Sequence, residues 1–114
     1  MHELGIASSV LDAVRAEAAR HAGARPSRVG VRIGEWAGVD TESLRFCFDA
    51  LVAGSDLDGL KLDLDYRPRR HRCVACGSEF AVQGYDTMCP QCQNADTRMV
   101  SGAELDIAYL ELED

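Results

Sequence analysis

Two Cys-x-x-Cys pairs constrain this chain more than any other feature of its sequence. The pairs are Cys73–Cys76 and Cys89–Cys92, and twelve residues separate them. Four thiolates at this spacing can enclose one tetrahedral Zn²⁺ ion, because each pair forms a tight turn that directs both sulfurs inward. Gly77 after the first pair suits such a turn. Four protein ligands also fill the zinc coordination sphere, whereas a catalytic zinc keeps one position open for water. The sequence therefore predicts a structural zinc site.

The cysteines also admit other interpretations. Spacing alone does not distinguish zinc from iron held by four thiolates, as in rubredoxin-like proteins. A redox dithiol needs one Cys-x-x-Cys pair, normally at the start of a helix, and this chain has two. Stable disulfides form in oxidising compartments. Because the start Met1-His2-Glu3-Leu4 lacks the charged and apolar regions of a signal peptide, we expect a cytoplasmic protein with reduced thiols.

Length and charge restrict the partners. The 114 residues can hold one ordinary domain and a small module. No apolar run approaches the roughly 20 residues of a membrane span, so no membrane partner is expected. The formal net charge is −7, and a zinc ion bound by four thiolates would make it more negative. Nucleic-acid binding needs phosphate-neutralising Lys and Arg, so a divalent cation or a basic protein is the more suitable partner.

Hydrophobic spacing predicts two helices. The first should cover residues 4–22 and stop at Gly23, and the second should begin at Asp40, a good N-cap, and end at Gly54. Their buried faces are predicted from apolar residues three and four positions apart: Leu4, Ala7, Leu11, Val14 and Ala18 in the first helix, and Leu44, Cys47, Phe48 and Leu51 in the second.

Alternating apolar residues predict about three strands, near residues 29–33, 60–66 and from 105 onward. In the last strand Leu105, Ile107 and Tyr109 should form one face. Leu110 and Leu112 have the opposite parity, which indicates either a bulge or a two-sided strand.

The predicted fold class is α/β (α+β), with two helices on a small, about three-stranded mixed sheet and an inserted zinc-ribbon-like module. Residues 1–66 and 101–114 should form the first domain, and residues 67–100 the inserted zinc-binding domain. The insertion is shorter than the ~40 residues that usually fold unaided. Zinc binding, worth ~10–16 kcal/mol in small zinc domains, can fold such a segment. The basic run at residues 67–72 is expected to be a linker into this module.

The amino terminus offers a second metal site. The Met1 amine, the His2 amide and the His2 imidazole place three nitrogens within chelating reach, and Glu3 or a water can supply a fourth donor. Planar nitrogen coordination of this kind suits Ni(II) or Cu(II). From position alone, His2 is also compatible with an ordinary terminal residue, and Glu3 with a favourable charge at a helix start.

Several segments of the chain match one known family. They are Met-His-Glu-Leu at 1–4, Arg-Ile-Gly-Glu at 32–35, Gly-Val-Asp at 38–40, Glu-Ser-Leu-Arg-Phe at 42–46, the paired Cys-x-x-Cys, and Ser-Gly-Ala-Glu-Leu-Asp-Ile at 101–107. Together they resemble the HypA/HybF family of nickel-incorporation proteins, which mature nickel–iron hydrogenases. The resemblance implies that His2 is an essential nickel ligand with Glu3 beside it. It also implies that zinc is bound by Cys73, Cys76, Cys89 and Cys92.

The resemblance implies a metallochaperone and not an enzyme, with Ni(II) as cargo and Zn(II) as a structural ion. The partners implied are a nickel-handling GTPase and the hydrogenase large-subunit precursor, and some relatives serve urease. A homodimer that bridges two nickel sites is a further option. The alternative function is a zinc-ribbon module that binds nucleic acid or another protein. Its basis is the run of arginines before Cys73, although only Phe80 and Tyr85 could stack on bases there.

His71 has two interpretations. Some relatives carry histidines beside both cysteine pairs, which are thought to exchange with thiolates when pH or nickel changes. Here His71 lies two residues before Cys73, but no histidine follows Cys92. We expect a solvated His71 in the basic run. The functional alternative is a pH-sensitive residue that contacts a zinc ligand or replaces one.

Overall fold

The computed structural model describes residues 2–114 and divides into two compact units. Within this range, the first unit contains residues 2–32, Gly38–Asp65 and Asp106–Asp114. The second contains Ile33–Ala37 and Tyr66–Leu105. The segment predicted as an inserted domain, residues 67–100, thus lies inside the second unit. That unit also includes Ile33–Ala37, Tyr66 and residues 101–105, which belong to the first domain predicted from the sequence.

Two helices and a three-stranded sheet form the predicted α+β arrangement. The helices are α1 (Glu3–Ala18) and α2 (Thr41–Val52). The strands are β1 (Arg25–Gly34), β2 (Lys61–Arg67) and β6 (Leu105–Glu113), in the order β2-β1-β6. Neither described helix combines the length and the apolarity needed to cross a lipid bilayer.

A second, antiparallel sheet is formed by the part of the chain that contains the four clustered cysteines. Its strands are β3 (Arg70–Cys73), β4 (Glu79–Ala81) and β5 (Thr97–Ser101), in the order β4-β3-β5. His71 on the central strand pairs with Phe80 on β4 and with Met99 on β5. The prediction that residues 67–72 form a linker is therefore wrong. These residues end β2 and form most of β3, and two of them, Arg69 and His71, are buried.

The first unit encloses a core of helix and strand residues. They are Ala7, Val10, Leu11 and Val14 of α1, Val29 and Val31 of β1, and Leu44, Phe48 and Val52 of α2. Three details of the helices differ from the prediction. Helix α1 ends at Ala18, one turn early, and Leu4 is 56% exposed because burial begins only at Ala7, in the second turn. In α2, Val52 is buried in place of Leu51.

Strand β6 contains an irregularity. Ile107 and Leu110 line the same pocket of about 220 Å³ beside α1, although residues three apart face opposite sides of a regular strand. The Tyr109 ring lies over Gly30, where an added Cβ would overlap it. The predicted common face of Leu105, Ile107 and Tyr109 is therefore wrong. One extra residue, as in a β-bulge, explains how Ile107 and Leu110 share a face.

Candidate metal centres

The structure brings four sulfur atoms together. The Sγ atoms of the four cysteines all lie within 4.8 Å of one another. The Sγ–Sγ distance is 3.5 Å between Cys73 and Cys92 and 3.6 Å between Cys76 and Cys89. Tetrahedral zinc with bonds of about 2.3 Å to sulfur places its sulfurs about 3.8 Å apart. A disulfide would need about 2.05 Å, and these cysteines are free. The cluster thus has the size and the donor set of a tetrahedral four-thiolate metal site.

The two cysteine turns have the same backbone hydrogen bonds. The carbonyl of the first cysteine in each turn, Cys73 or Cys89, accepts from the N–H four residues on, at 3.0 Å and 2.9 Å. Its N–H donates to the carbonyl five residues on, at 2.9 Å and 3.0 Å. Gly77 and Gln93 follow the second cysteine and both have positive φ, 75° and 62°. Each turn therefore folds its cysteine pair in the same way.

Backbone N–H groups favour thiolates at the two buried cysteines. The N–H of Cys76 donates to the sulfur of Cys73 and lowers its pKa. The N–H of Cys92 acts in the same way on Cys89 and lowers its pKa to about 7. At Cys92 the N–H of Asn94 also favours the thiolate, but the neighbouring cysteines and burial raise the pKa to about 12. A bound cation would relieve this competition among sulfurs for negative charge.

His71 is buried on β3, with only 8% of its surface exposed, so the expectation of a solvated side chain is wrong. Its Nδ1 lies 3.0 Å from Oγ1 of Thr97, and that hydroxyl donates to the carbonyl of Thr87 at 2.7 Å. Because the hydroxyl has a single proton, Nδ1–H must be the donor to it. In the neutral ring, Nε2 then keeps its lone pair, and no described group hydrogen-bonds to it. A role for this nitrogen toward the thiolates stays a prediction.

The amino-terminal candidate lies at the start of α1. His2 is the N-cap residue, is exposed, and makes no side-chain capping hydrogen bond. Oε2 of Glu3 accepts the backbone N–H of Asp40 at 3.1 Å. Met1 lies outside the described residues. The structure therefore leaves the His2 imidazole accessible and holds the Glu3 carboxylate at the start of α2.

The sequence predicts a single role for Asp40, as the N-cap of α2. Its Oδ1 does accept the N–H groups of Glu42 and Ser43, both at 3.1 Å. The missed role is the anchoring of Glu3 by the Asp40 N–H. No local pattern could reveal it, because 37 positions separate the two residues.

Comparisons with known proteins give one consistent result. A family model described as hydrogenase/urease nickel incorporation, metallochaperone, HypA matches residues 1–112. The hydrogenase maturation factor HypA of Prosthecochloris aestuarii is 40% identical over 113 residues, covering 99% of this chain and 100% of the relative. The corresponding factor of Geobacter metallireducens is 38% identical over 113 residues, with the same coverage.

Solved structures agree in fold. The solution structure of the Ni metallochaperone HypA from Helicobacter pylori has a TM-score of 0.65 at 24% identity and covers 98% of this chain and 97% of that one. Another, described as the solution structure of HypA protein, has a TM-score of 0.72 at 23% identity, with coverage of 99% and 97%. This chain, with its four-cysteine metal site, therefore belongs to the HypA family of nickel metallochaperones, which are hydrogenase maturation factors and not enzymes.

Proposed function

We propose that this protein binds Ni(II) at its amino terminus and delivers it to the large-subunit precursor of a nickel–iron hydrogenase. The observation that carries the proposal is the exposed His2 imidazole at the N-cap of α1, beside the anchored carboxylate of Glu3. The N–H groups at the start of a helix have no hydrogen-bond partner within the helix. The amide nitrogen of His2 is therefore available as a metal ligand. With the amine of Met1, the chain end offers the nitrogen donors that suit planar Ni(II).

The exposed position of the donors favours transfer over storage. A planar site leaves its axial faces open, so ligands of the client can approach while those of the carrier still hold the metal. Binding requires deprotonated nitrogens, so nickel affinity should rise with pH. Since Cu(II) binds such donors more tightly than Ni(II), selectivity must come from copper scarcity and from docking to the partner.

In the second unit, the proposed metal is a structural Zn(II) held by Cys73, Cys76, Cys89 and Cys92. Zinc would supply the attraction that holds the four thiolates together and joins the two cysteine turns. The chain itself prepares the site through the backbone N–H groups that stabilise the buried sulfurs of Cys73 and Cys89. His71 is proposed as the residue that contacts or replaces a zinc ligand.

The proposed partners are proteins in a reducing cytoplasm: a nickel-handling GTPase and the hydrogenase precursor, with a second copy of this chain as a further option. Nucleic acid is not among them. Two arginines of the run are not free cations, because Arg69 is buried and Arg72 forms an ion pair with Glu79 at 3.0 Å. This contact argues against the nucleic-acid alternative, which needs accessible cations.

Nickel calorimetry on tag-free protein tests the assignment of His2. The variant His2→Ala should lose specific nickel binding, whereas zinc content and helix content should not change. His21→Ala is the matched control, because His21 is also exposed and lies after the other end of α1, beside Glu17. Unchanged nickel affinity in His2→Ala would refute the site.

Delivery itself needs a second measurement. Nickel-loaded protein should activate the purified hydrogenase precursor in the presence of a chelator that captures free nickel. The His2→Ala variant should not. Equal activation by both proteins would show that transfer does not use the amino terminus. Nickel X-ray absorption on the same samples should report nitrogen and oxygen ligands, and a sulfur-only shell would contradict the proposal.

A further inference from the structure

The second cysteine turn lies outside the strands of its sheet. Cys73 is the last residue of β3, so the first turn continues directly from the central strand. Cys89 and Cys92 instead lie between β4, which ends at Ala81, and β5, which begins at Thr97. Strand pairing therefore does not by itself determine where the second turn begins.

The side chain of Thr97 joins the two ends of the segment that carries this turn. Its hydroxyl donates to the carbonyl of Thr87 at 2.7 Å, across ten positions of the chain. Thr87 lies two residues before Cys89, and Thr97 lies five residues after Cys92. The hydrogen bond therefore closes a short loop that contains both cysteines of the second pair. Closing a segment reduces the conformations open to the residues inside it.

Thr97 also fixes this loop to the first cysteine pair. Cys73 and Thr97 are directly opposite each other in the antiparallel pairing of β3 with β5. The N–H of Val74, the next residue, donates to the carbonyl of Asp96 at 3.1 Å. Thr97 thus contacts both parts of the cluster. Its backbone lies beside Cys73, and its hydroxyl holds the segment that leads into Cys89.

His71 determines the direction of the Thr97 hydroxyl. Its Nδ1–H donates to the hydroxyl oxygen, with Nδ1 at 3.0 Å. A threonine hydroxyl has one proton, so the oxygen that accepts from His71 directs that proton to the carbonyl of Thr87. Because His71 is buried, loss of this bond would leave a polar nitrogen without a partner. The role uses Nδ1 and leaves Nε2 for the contact with a zinc ligand proposed above.

We propose that Thr97 is a positioning residue of the metal site. Its hydroxyl holds the turn of Cys89 and Cys92 opposite the first cysteine pair, and His71 orients that hydroxyl. Thr97 is not itself a metal ligand and acts through the carbonyl of Thr87. The proposal rests on the zinc site proposed above. Because metal binding and the folding of such a module are coupled, a contact that holds the ligands together adds to metal affinity.

Zinc affinity of the full chain, measured by competition with a chromogenic chelator, gives the first test. Thr97→Val keeps the shape of the side chain and removes the hydroxyl. It should raise the Kd for zinc roughly tenfold, because the partners of a lost hydrogen bond are left unsatisfied. Thr97→Ser keeps the hydroxyl and should stay close to wild type. Thr87→Val is the matched control, since Thr87 takes part through its carbonyl, and it should leave the Kd unchanged.

Labelling of individual cysteines shows whether Thr97 positions the second turn or only stabilises the unit. Zinc-loaded protein is treated with iodoacetamide, and mass spectrometry of singly modified molecules identifies the first cysteine attacked. In Thr97→Val, labelling of the second pair should accelerate several-fold more than labelling of the first pair. General destabilisation would accelerate labelling of both pairs by the same factor, and that result would overturn the proposal.

The part played by His71 is tested by two substitutions. His71→Ala removes the donor to Thr97 and should shift the first labelling toward the second pair, as Thr97→Val does. In His71→Asn the side-chain amide can still donate to that oxygen, so labelling should stay nearer to wild type. Neither variant carries Nε2, so the difference between them reports on the hydrogen bond to Thr97. Equal labelling of wild type and His71→Ala would show that His71 does not orient the hydroxyl.

The outcomes keep the positioning role separate from the zinc site itself. If the wild type binds zinc and Thr97→Val binds it equally well, the positioning role is refuted and the four-thiolate site survives. If Thr97→Ser loses as much affinity as Thr97→Val, the hydroxyl is not responsible and the proposal fails. If the wild-type protein binds no zinc, the site and the positioning role fail together.

Discussion

The two cysteine turns share a backbone but differ at the residue after the second cysteine. Gly77 and Gln93 both have positive φ, and Gln93 is the only described residue other than glycine that does. The left-handed conformation costs an L-residue about 1–2 kcal/mol. The Gln93 side chain offsets part of this by donating to the carbonyl of Pro90 at 3.2 Å. The second turn is therefore strained where the first is not.

This strain predicts opposite effects for two reciprocal substitutions. Gln93→Gly should be neutral or should stabilise the zinc-loaded protein by up to about 1 kcal/mol, because relief of strain exceeds the backbone entropy that glycine loses. Gly77→Gln should destabilise it by about 1–2 kcal/mol. Thermal unfolding at a fixed zinc concentration measures both effects. A more stable Gly77→Gln variant would contradict this reading of the turns.

Individual residues show which parts of the site could be predicted. The spacing of the four cysteines was sufficient to predict their convergence, because each pair forms a local turn. The burial of Arg69 and His71 could not be predicted in the same way. Polar residues in a row have the same pattern in a solvated linker and in a strand. Their burial depends on partners distant in the chain, such as Trp36 and Thr97.

At the level of elements, the start of α2 connects two parts of the candidate nickel site. Asp40 caps the helix with its side chain, and its backbone N–H binds the carboxylate of Glu3. A helix that frays at this end would release that N–H and leave Glu3 less restrained. The integrity of the cap should therefore affect both the stability of α2 and the position of Glu3.

We therefore predict that Asp40→Ala destabilises the protein by about 1 kcal/mol, the usual cost of losing an N-cap side chain. Asp40→Asn should be close to wild type, since an amide oxygen still accepts the N–H groups of Glu42 and Ser43. Urea denaturation followed by circular dichroism gives both values. If Asp40→Ala were as stable as wild type, the cap would not contribute to folding.

Strand β6 shows why boundaries and faces were harder to predict than the elements themselves. Leu105 to Leu112 carry apolar residues of both parities, so two-residue alternation could not assign a single buried face. Both Ile107 and Leu110 reach the pocket beside α1 because the strand contains an irregularity. Such a bulge depends on the pairing with β1, which the sequence of one strand does not specify.

For the whole molecule, the division into two units gives each a separate spectroscopic signal. Both helices belong to the first unit, and Trp36, the single tryptophan, belongs to the second. Trp36 stacks with Arg69, which also donates a hydrogen bond to the carbonyl of Gly84. Trp36 fluorescence therefore reports on the second unit, while ellipticity at the helix band reports on the first.

Removal of the metal should separate these signals. A strong chelator, or the substitution Cys73→Ser, should change Trp36 fluorescence as the second unit loses its order, since few segments of this size fold unaided. Most of the helical ellipticity should remain, because α1 and α2 have their own buried core. Cys47→Ser is the control. This cysteine lies outside the cluster, on α2, and its loss should leave zinc content and fluorescence unchanged. If ellipticity and fluorescence instead disappeared together at one chelator concentration, the two units would unfold as one and zinc would support the whole chain.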